Sequence, residues 1–216
     1  MSYGFIFDLD GVITDTAEYH YQSWKRLADE EGLTFTRKDN DALRGLPRQE
    51  SLKIFQKDRQ LSEDQIQDWM ARKNTYFHES LESFSQDNLL PGVNELMQSA
   101  KQNNIKIGLA SSSRNARPVC SRLGILDLFD VFADGNDITN AKPAPDVFLW
   151  VAGGLRLIPQ KCVIFEDSEA GVEAGLTGKF SVVGIGPKER LNRAHRVIDG
   201  LAGHGISDFI PPLYDL

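Results

Sequence analysis

The chain has 216 residues and a formal net charge of −7, enough length to bury one sizeable core plus a modest insertion without covalent staples. The acidic balance argues against nucleic acid or an anionic membrane as partner, since both need clustered Lys and Arg to neutralise phosphates, so any anionic substrate must be attracted locally. Two cysteines, Cys120 and Cys162, lie far apart and outside metal-ligand spacing, which favours free thiols over a disulfide.

In chain order, Tyr3 to Phe7 is a short apolar run that reads as a strand. It lacks a preceding basic region and is broken at Asp8, too short for a signal peptide or membrane span, so a soluble cytoplasmic protein is expected. The strand runs into Asp8-Leu9-Asp10-Gly11. In an open parallel α/β sheet the ligand crevice lies at the carboxyl ends of strands, and i, i+2 spacing points both carboxylates the same way if the backbone stays extended. Taken alone, the pair is equally an acidic turn. Residues 17–31 then carry Ala17, Tyr21, Trp24, Leu27 and Ala28 at helical steps, with Gly32 as the stop. Further helical patterns follow at about Arg48 to Lys57 and Ser62 to Phe84, the second opened by Ser62 and Gln65 in capping-box form. From Pro91-Gly92 onward helix and strand alternate. Helices are expected to Gln102 and near 114–123, 145–153 and 168–176; strands are expected at Ile105 to Ala110, Val131 to Ala133, Cys162 to Phe165 and Phe180 to Ile185. That alternation predicts an α/β fold, a Rossmann-like doubly wound parallel sheet built from residues 1–14 and 88–216, with residues 15–87 inserted as a helical cap. After Pro187 the pattern weakens.

Three polar clusters end or follow the later strands: Ser111-Ser112-Ser113, Lys142-Pro143 and Glu166-Asp167-Ser168. With Asp8 and Asp10 they form a set in fixed order, and this set resembles the haloacid dehalogenase superfamily of aspartate-based phosphoryl-transfer enzymes. Residues 8–24 look specifically like its β-phosphoglucomutase group. The chemistry explains the residue types. Moving a phosphoryl group onto a carboxylate brings two anions together, which requires a cation between them and positive charge on the phosphoryl oxygens. Mg²⁺ favours octahedral oxygen coordination, and Asp8, Asp167, Glu166 and the main-chain carbonyl of Asp10 would suit it. Glu166-Asp167-Ser168 also reads as an acidic helix start, with Asp167 or Ser168 as the cap. The serines following an apolar strand can cradle phosphate at a helix N-terminus, or simply mark a loop.

The resemblance implies roles residue by residue. Asp8 is the nucleophile and Asp10 the general acid and base; Lys142 holds the transferring phosphoryl group, and its peptide bond to Pro143 is a candidate for the cis isomer. Thr16 lies in the hinge and restrains Asp10 until the cap closes. Arg48, Gly45 and Ser51 from the cap, with Ser113, Arg114 and Asn115 from the core, match positions used for a distal phosphate, while Ser111 and Ser112 complete the phosphate loop. Arg114 stands where the family usually has Lys, and Leu46-Pro47 departs from its common pair. His20, Trp24 and Lys73 match cap positions of the group, which implies that His20 and Lys73 are catalytic and Trp24 binds substrate, although a His four residues from Trp24 on an apolar stripe is also an ordinary core residue. Two anion-binding ends imply a bisphosphate. The implied activity is interconversion of β-D-glucose 1-phosphate and glucose 6-phosphate by a monomeric, Mg²⁺-dependent mutase, with a sugar-phosphate phosphatase as the alternative and a non-catalytic phosphosugar-binding relative behind it.

Overall fold

The computed structural model describes residues 2–43 and 46–210. Its centre is a six-stranded sheet of β1 (Gly4–Phe7), β2 (Lys106–Ala110), β3 (Val131–Ala133), β4 (Cys162–Glu166), β5 (Ser181–Ile185) and β6 (Arg196–Ile198), in the order β3-β2-β1-β4-β5-β6. Every pairing is parallel. Strands β1, β4 and β5 are buried along their whole length, as expected where helices cover both faces of a parallel sheet. The two-residue period sorts the side chains: Phe5, Phe7, Val163 and Phe165 join one core, whereas Ile6, Ile164 and Val182 join the other. On the first face lie α5 (Val93–Gln102) and α6 (Ala116–Arg122); on the second lie α7 (Asp146–Gly154) and α8 (Glu169–Thr177). Phe7 stacks on Phe165 at 4.7 Å, and Phe209 meets Phe165 edge-on at 5.0 Å, closing the first core from the chain's far end. Burying each such ring is worth about 1.5–3 kcal/mol relative to exposure.

Between β1 and α5 the chain is helical. α1 (Ala17–Glu30), α2 (Arg37–Asp41), α3 (Arg48–Phe55) and α4 (Glu63–Ser80) pack around their own core of Trp24, Leu27, Phe35, Leu52, Phe55 and Trp69. Within it Trp24 lies against Phe55 at 4.6 Å, and Phe55 meets Trp69 edge-on at 5.7 Å. The expected Ser62–Gln65 capping box is complete, each side chain bonded to the other's backbone N–H. Two threads join this layer to the sheet. Thr14 Oγ1 donates to the Asn88 carbonyl at 2.7 Å, and Leu90 N–H donates to the Ile13 carbonyl at 2.9 Å, so the outgoing and returning strands of chain are tied where they leave the core.

Besides short 3-10 turns, two α-helices and one strand among the described residues lie outside the sequence expectation. The five-residue α2 buries no side chain and stands on a Thr36–Asp39 capping box rather than an apolar stripe. The short α9 (Lys188–Leu191) and the three-residue edge strand β6 fall where the pattern had faded. No helix among the described residues is long and apolar enough to cross a membrane.

Candidate active site

The strand order reverses direction at β1, which has β2 on one side and β4 on the other, and such a switch point opens a crevice at the carboxyl ends of the strands. β1 delivers Asp8 there, β2 delivers Ser111, and β4 ends in Glu166 with Asp167 directly after it. Asp8 N–H still donates to the Phe165 carbonyl at 3.0 Å, and the chain then folds back tightly as Gly11 N–H donates to the Thr14 carbonyl. Gly11 has φ +82°, and a Cβ there would lie 2.2 Å from Asp167 Oδ2, so both conformation and space require glycine.

Asp8, Glu166 and Asp167 are buried with one ligand atom each within 4.8 Å of one another. Lys142 is the cation among them. Its ammonium donates to Asp8 Oδ1 at 2.6 Å, to Glu166 Oε2 at 2.8 Å and to the Ala110 carbonyl at 3.1 Å, and the Lys142–Pro143 peptide is cis. Burial, followed by the Glu166 charge, pushes the Asp8 carboxyl well above the usual range against the pull of Lys142. For Lys142 burial acts downward, yet Asp8 and Glu166 together hold the ammonium above its ordinary value. Glu166 is pinned by its own turn: its Oε1 accepts from Asp167 N–H, Ser168 N–H and Ser168 Oγ. Ser168 is the cap of α8, accepting from Gly171 N–H at 3.1 Å. Gly171 is a site residue that the sequence reading missed, since a Cβ there would sit 2.0 Å from the Glu166 carboxyl carbon. An all-oxygen, carboxylate-rich donor set shaped by the bare Cα of Gly11 fits a hard divalent cation. The Asp10 carboxylate stays out of that cluster. It accepts a hydrogen bond from Thr16 Oγ1, and burial raises its pKa despite that bond.

The serine loop divides its labour. Ser111 Oγ accepts from Ser113 N–H at 3.0 Å and does not face the cavity, while Ser113 Oγ accepts from Asn115 N–H at 3.1 Å. Ser112 Oγ is buried at the cavity wall with no hydrogen-bond partner among the described residues. Such an orphan hydroxyl is a donor waiting for a ligand oxygen.

Opposite the core, the helical layer supplies Thr16, His20, Trp24, Arg48, Ser51 and Lys73 to the same cavity of about 110 Å³ that Asp8, Asp10, Ser113, Asn115 and Lys142 line. His20 and Lys73 reach one another from α1 and α4, Nδ1 to Nζ at 2.7 Å. The Lys73 ammonium lies 5.4 Å from the Trp24 ring centre and 4.9 Å from that of Phe77, and His20 stacks on Phe77 at 4.3 Å. Burial, then the charges of Lys73 and Arg48, hold the imidazole well below its ordinary value, so it is neutral and can accept from the ammonium. Burial and the Arg48 charge pull Lys73 down to about 7. Arg48 also faces Arg114, which lowers it after burial does, and neither arginine has an ion-pair partner among the described residues. Both, with Ser112, line a neighbouring cavity of about 540 Å³, so they mark the end that opens outward. Gly45 lies outside the described residues.

Lys73 makes a testable demand on stability. Its folded value near 7 lies below the ordinary 10.5, so between these pH values the unfolded chain holds a proton that the folded chain lacks, and stability rises with pH. Lys73→Met removes the burial cost of the charge. The variant is expected to melt about 5 °C higher near pH 7, with an advantage that shrinks towards pH 10, while losing turnover. Thermal unfolding across that pH range checks it.

Known proteins resemble this chain over most of its length. A family model for haloacid dehalogenase-like hydrolase matches residues 4–177. The chain is 41% identical to the β-phosphoglucomutase of Bacillus subtilis, with 89% of this chain and 87% of the relative covered. It is 34% identical to the phosphorylated carbohydrates phosphatase of Thermotoga maritima, over 78% of each. A crystal structure of β-phosphoglucomutase from Clostridium difficile superposes with a TM-score of 0.91 at 40% identity, covering 96% of this chain and 95% of that one. With an aspartate at the switch point, a buried lysine beside it and an acidic pair ending β4, the chain belongs to the haloacid dehalogenase-like hydrolase family, in its β-phosphoglucomutase group.

Proposed function

We propose that this enzyme is a β-phosphoglucomutase, interconverting β-D-glucose 1-phosphate and glucose 6-phosphate through an aspartyl phosphate on Asp8 and a bound glucose 1,6-bisphosphate. The observation that carries the reading is a cavity with cations at two places: Lys142 beside Asp8, and at the outward end Arg48 and Arg114, which have no ion-pair partner among the described residues. A phosphatase needs only the first. Two like-charged guanidinium groups held together without a carboxylate suit a second phosphate dianion. A phosphatase reading draws on the Thermotoga maritima relative, but both the higher identity to a mutase and the arginine pair favour transfer to sugar.

In this reading Asp10 first takes the proton from the 6-hydroxyl of β-D-glucose 1-phosphate, whose oxygen bonds the phosphorus carried on Asp8 as the bond to the Asp8 oxygen breaks, giving the bisphosphate. In the second half an Asp8 oxygen bonds the phosphorus at the sugar's carbon 1 as its bond to the sugar oxygen breaks, and Asp10 gives that oxygen its proton, leaving glucose 6-phosphate. The raised pKa of Asp10 suits an acid near neutral pH, and its bond to Thr16 suits a group restrained until closure. Lys142 and Ser112 are the donors for the transferring phosphoryl oxygens. Mg²⁺ held by Asp8, Asp167, Glu166 and the Asp10 carbonyl would supply positive charge between the two anions. Residues 15–87 act as a cap that excludes water, Trp24, Lys73 and His20 face the sugar, and Arg48, Ser51, Ser113, Arg114 and Asn115 face the distal phosphate. One chain supplies every group, so a monomer suffices, and a phosphorylated sugar substrate goes with a cytoplasmic enzyme.

Arg48→Ala tests the reading. Mutase turnover should fall by about 10²-fold, the usual loss of a charge-assisted phosphate contact, while phosphorylation of Asp8 by acetyl phosphate, which has no distal phosphate, stays near the original rate. Wild-type mutase turnover in that variant, or equal loss of both reactions in a folded chain, contradicts it.

A further inference from the structure

The loops that leave β2 and β3 at the edge of the site stay paired after the strands end. Ser111 N–H donates to the Ala133 carbonyl at 3.1 Å, Gly135 N–H to the Ser113 carbonyl at 3.3 Å, and Asn136 Nδ2 to the Arg114 carbonyl at 3.3 Å. No cap residue takes part, so the pairing does not depend on where the cap stands. The Asn136 amide is itself anchored. Asp134, buried just after β3, accepts on Oδ1 from Asn136 N–H at 2.8 Å and from Asn136 Nδ2 at 2.9 Å. Asp137 closes the turn, its Oδ2 accepting from Asp134 N–H at 2.9 Å. An amide nitrogen carries two hydrogens, enough to serve Asp134 and Arg114 together. Gly135 lets the loops come this close, since a Cβ there would lie 2.5 Å from the Ser112 carbonyl oxygen and 3.1 Å from Arg114 Cγ.

Asn136 is exposed and lines neither cavity. We infer that Asn136 is a positioning residue that acts on the reaction through Arg114, holding the Arg114 backbone against the β3 loop so that the guanidinium stands at the outward end of the cavity. The inference rests on Arg114 as a contact of the distal phosphate. Among the described residues no carboxylate pairs with Arg114, so its placement falls to its backbone. A carboxylate partner would also fix the guanidinium, but it would cancel the charge that a phosphate dianion needs. A bond to the carbonyl fixes the residue and leaves that charge free. The buried Asp134 does the anchoring one step away, where its own charge is taken up by the turn.

The test compares the full chain with Asn136→Ala, Arg114→Ala and the double variant, all with Mg²⁺ and a trace of glucose 1,6-bisphosphate. Asn136→Ala is expected to lose about fivefold in kcat/KM for β-D-glucose 1-phosphate, the scale of one net hydrogen bond, with the rate of phosphorylation by acetyl phosphate and the melting temperature unchanged. Arg114→Ala should lose about 10²-fold, and adding Asn136→Ala to it should cost little more, because a residue that acts through another adds nothing once the other is gone. A full fivefold further loss in the double variant, equal slowing with acetyl phosphate, or wild-type kcat/KM in Asn136→Ala beside an impaired Arg114→Ala overturns the inference. Wild-type kcat/KM in Arg114→Ala overturns the distal-phosphate reading beneath it. Amide hydrogen exchange of residues 113–115 reads the positioning apart from the reaction: faster exchange in Asn136→Ala supports it, and unchanged exchange overturns it.

Discussion

Asp8→Asn is expected to eliminate phosphoryl transfer, with turnover at least about 10⁴-fold below the wild type, a loss on the scale of removing a covalent nucleophile. The amide has the shape of the carboxylate but its oxygen is a poor nucleophile and would not form a stable acyl phosphate. Folding should survive. Asp8 sits in a cluster where burial and the Glu166 charge already disfavour its ionised form, so a neutral group relieves one repulsion as it gives up the 2.6 Å ion pair with Lys142. Mass spectrometry after incubation with acetyl phosphate and Mg²⁺ reads the outcome. An intact variant that still gains a phosphoryl group would place the nucleophile elsewhere.

Lys142→Met should damage both chemistry and stability. Its ammonium touches Asp8, Glu166 and the Ala110 carbonyl inside the protein, so its removal leaves buried carboxylates facing one another. Breaking a buried pair from one side costs about 3–5 kcal/mol. In a chain of this size that lowers the melting temperature by roughly 10 °C. Phosphorylation of Asp8 should slow by about 10³-fold, as when a positioned donor to a developing charge is lost. The stability deficit has a sign in pH. The Asp8 carboxyl is already raised, and losing Lys142 removes a cause that lowers it, so the variant titrates higher still. A group raised in the folded state contributes stability at acid pH and loses it as pH climbs through the folded value, so the gap from wild type should narrow as pH falls and widen as pH rises. A gap that is independent of pH would mean that Lys142 acts by packing alone.

Much of this site could be read from sequence because each part follows an apolar run that had to be a strand. Asp8 after Phe7, Ser111 after Ala110 and Glu166 after Phe165 are polar residues at the ends of buried strands, and a parallel sheet brings such ends together. Lys142 was legible only through its order in the set, since a lysine before a proline ordinarily lies in solvent. What stayed hidden depends on three-dimensional contact. Gly171 serves by lacking a side chain, and the Glu166 carboxyl it makes room for lies on the preceding strand. Which serine presents a free hydroxyl follows from turn geometry, which ties up Ser111 and leaves Ser112. Asn136 looks like one more polar loop residue until its amide meets the Arg114 carbonyl. In the fold, α2 and β6 escaped because neither contains a fully buried side chain, and burial is what writes periodicity into a sequence.

The most direct measurement supplies the enzyme with β-D-glucose 1-phosphate, Mg²⁺ and a trace of glucose 1,6-bisphosphate, and counts glucose 6-phosphate against inorganic phosphate from the same reaction. The arrangement of Asp8, Asp10 and Lys142 at one part of the cavity and Arg48 with Arg114 at its outward end predicts glucose 6-phosphate as the main product, with phosphate release a minor leak. Stoichiometric release of inorganic phosphate with little glucose 6-phosphate would contradict the mutase and make the enzyme a phosphatase.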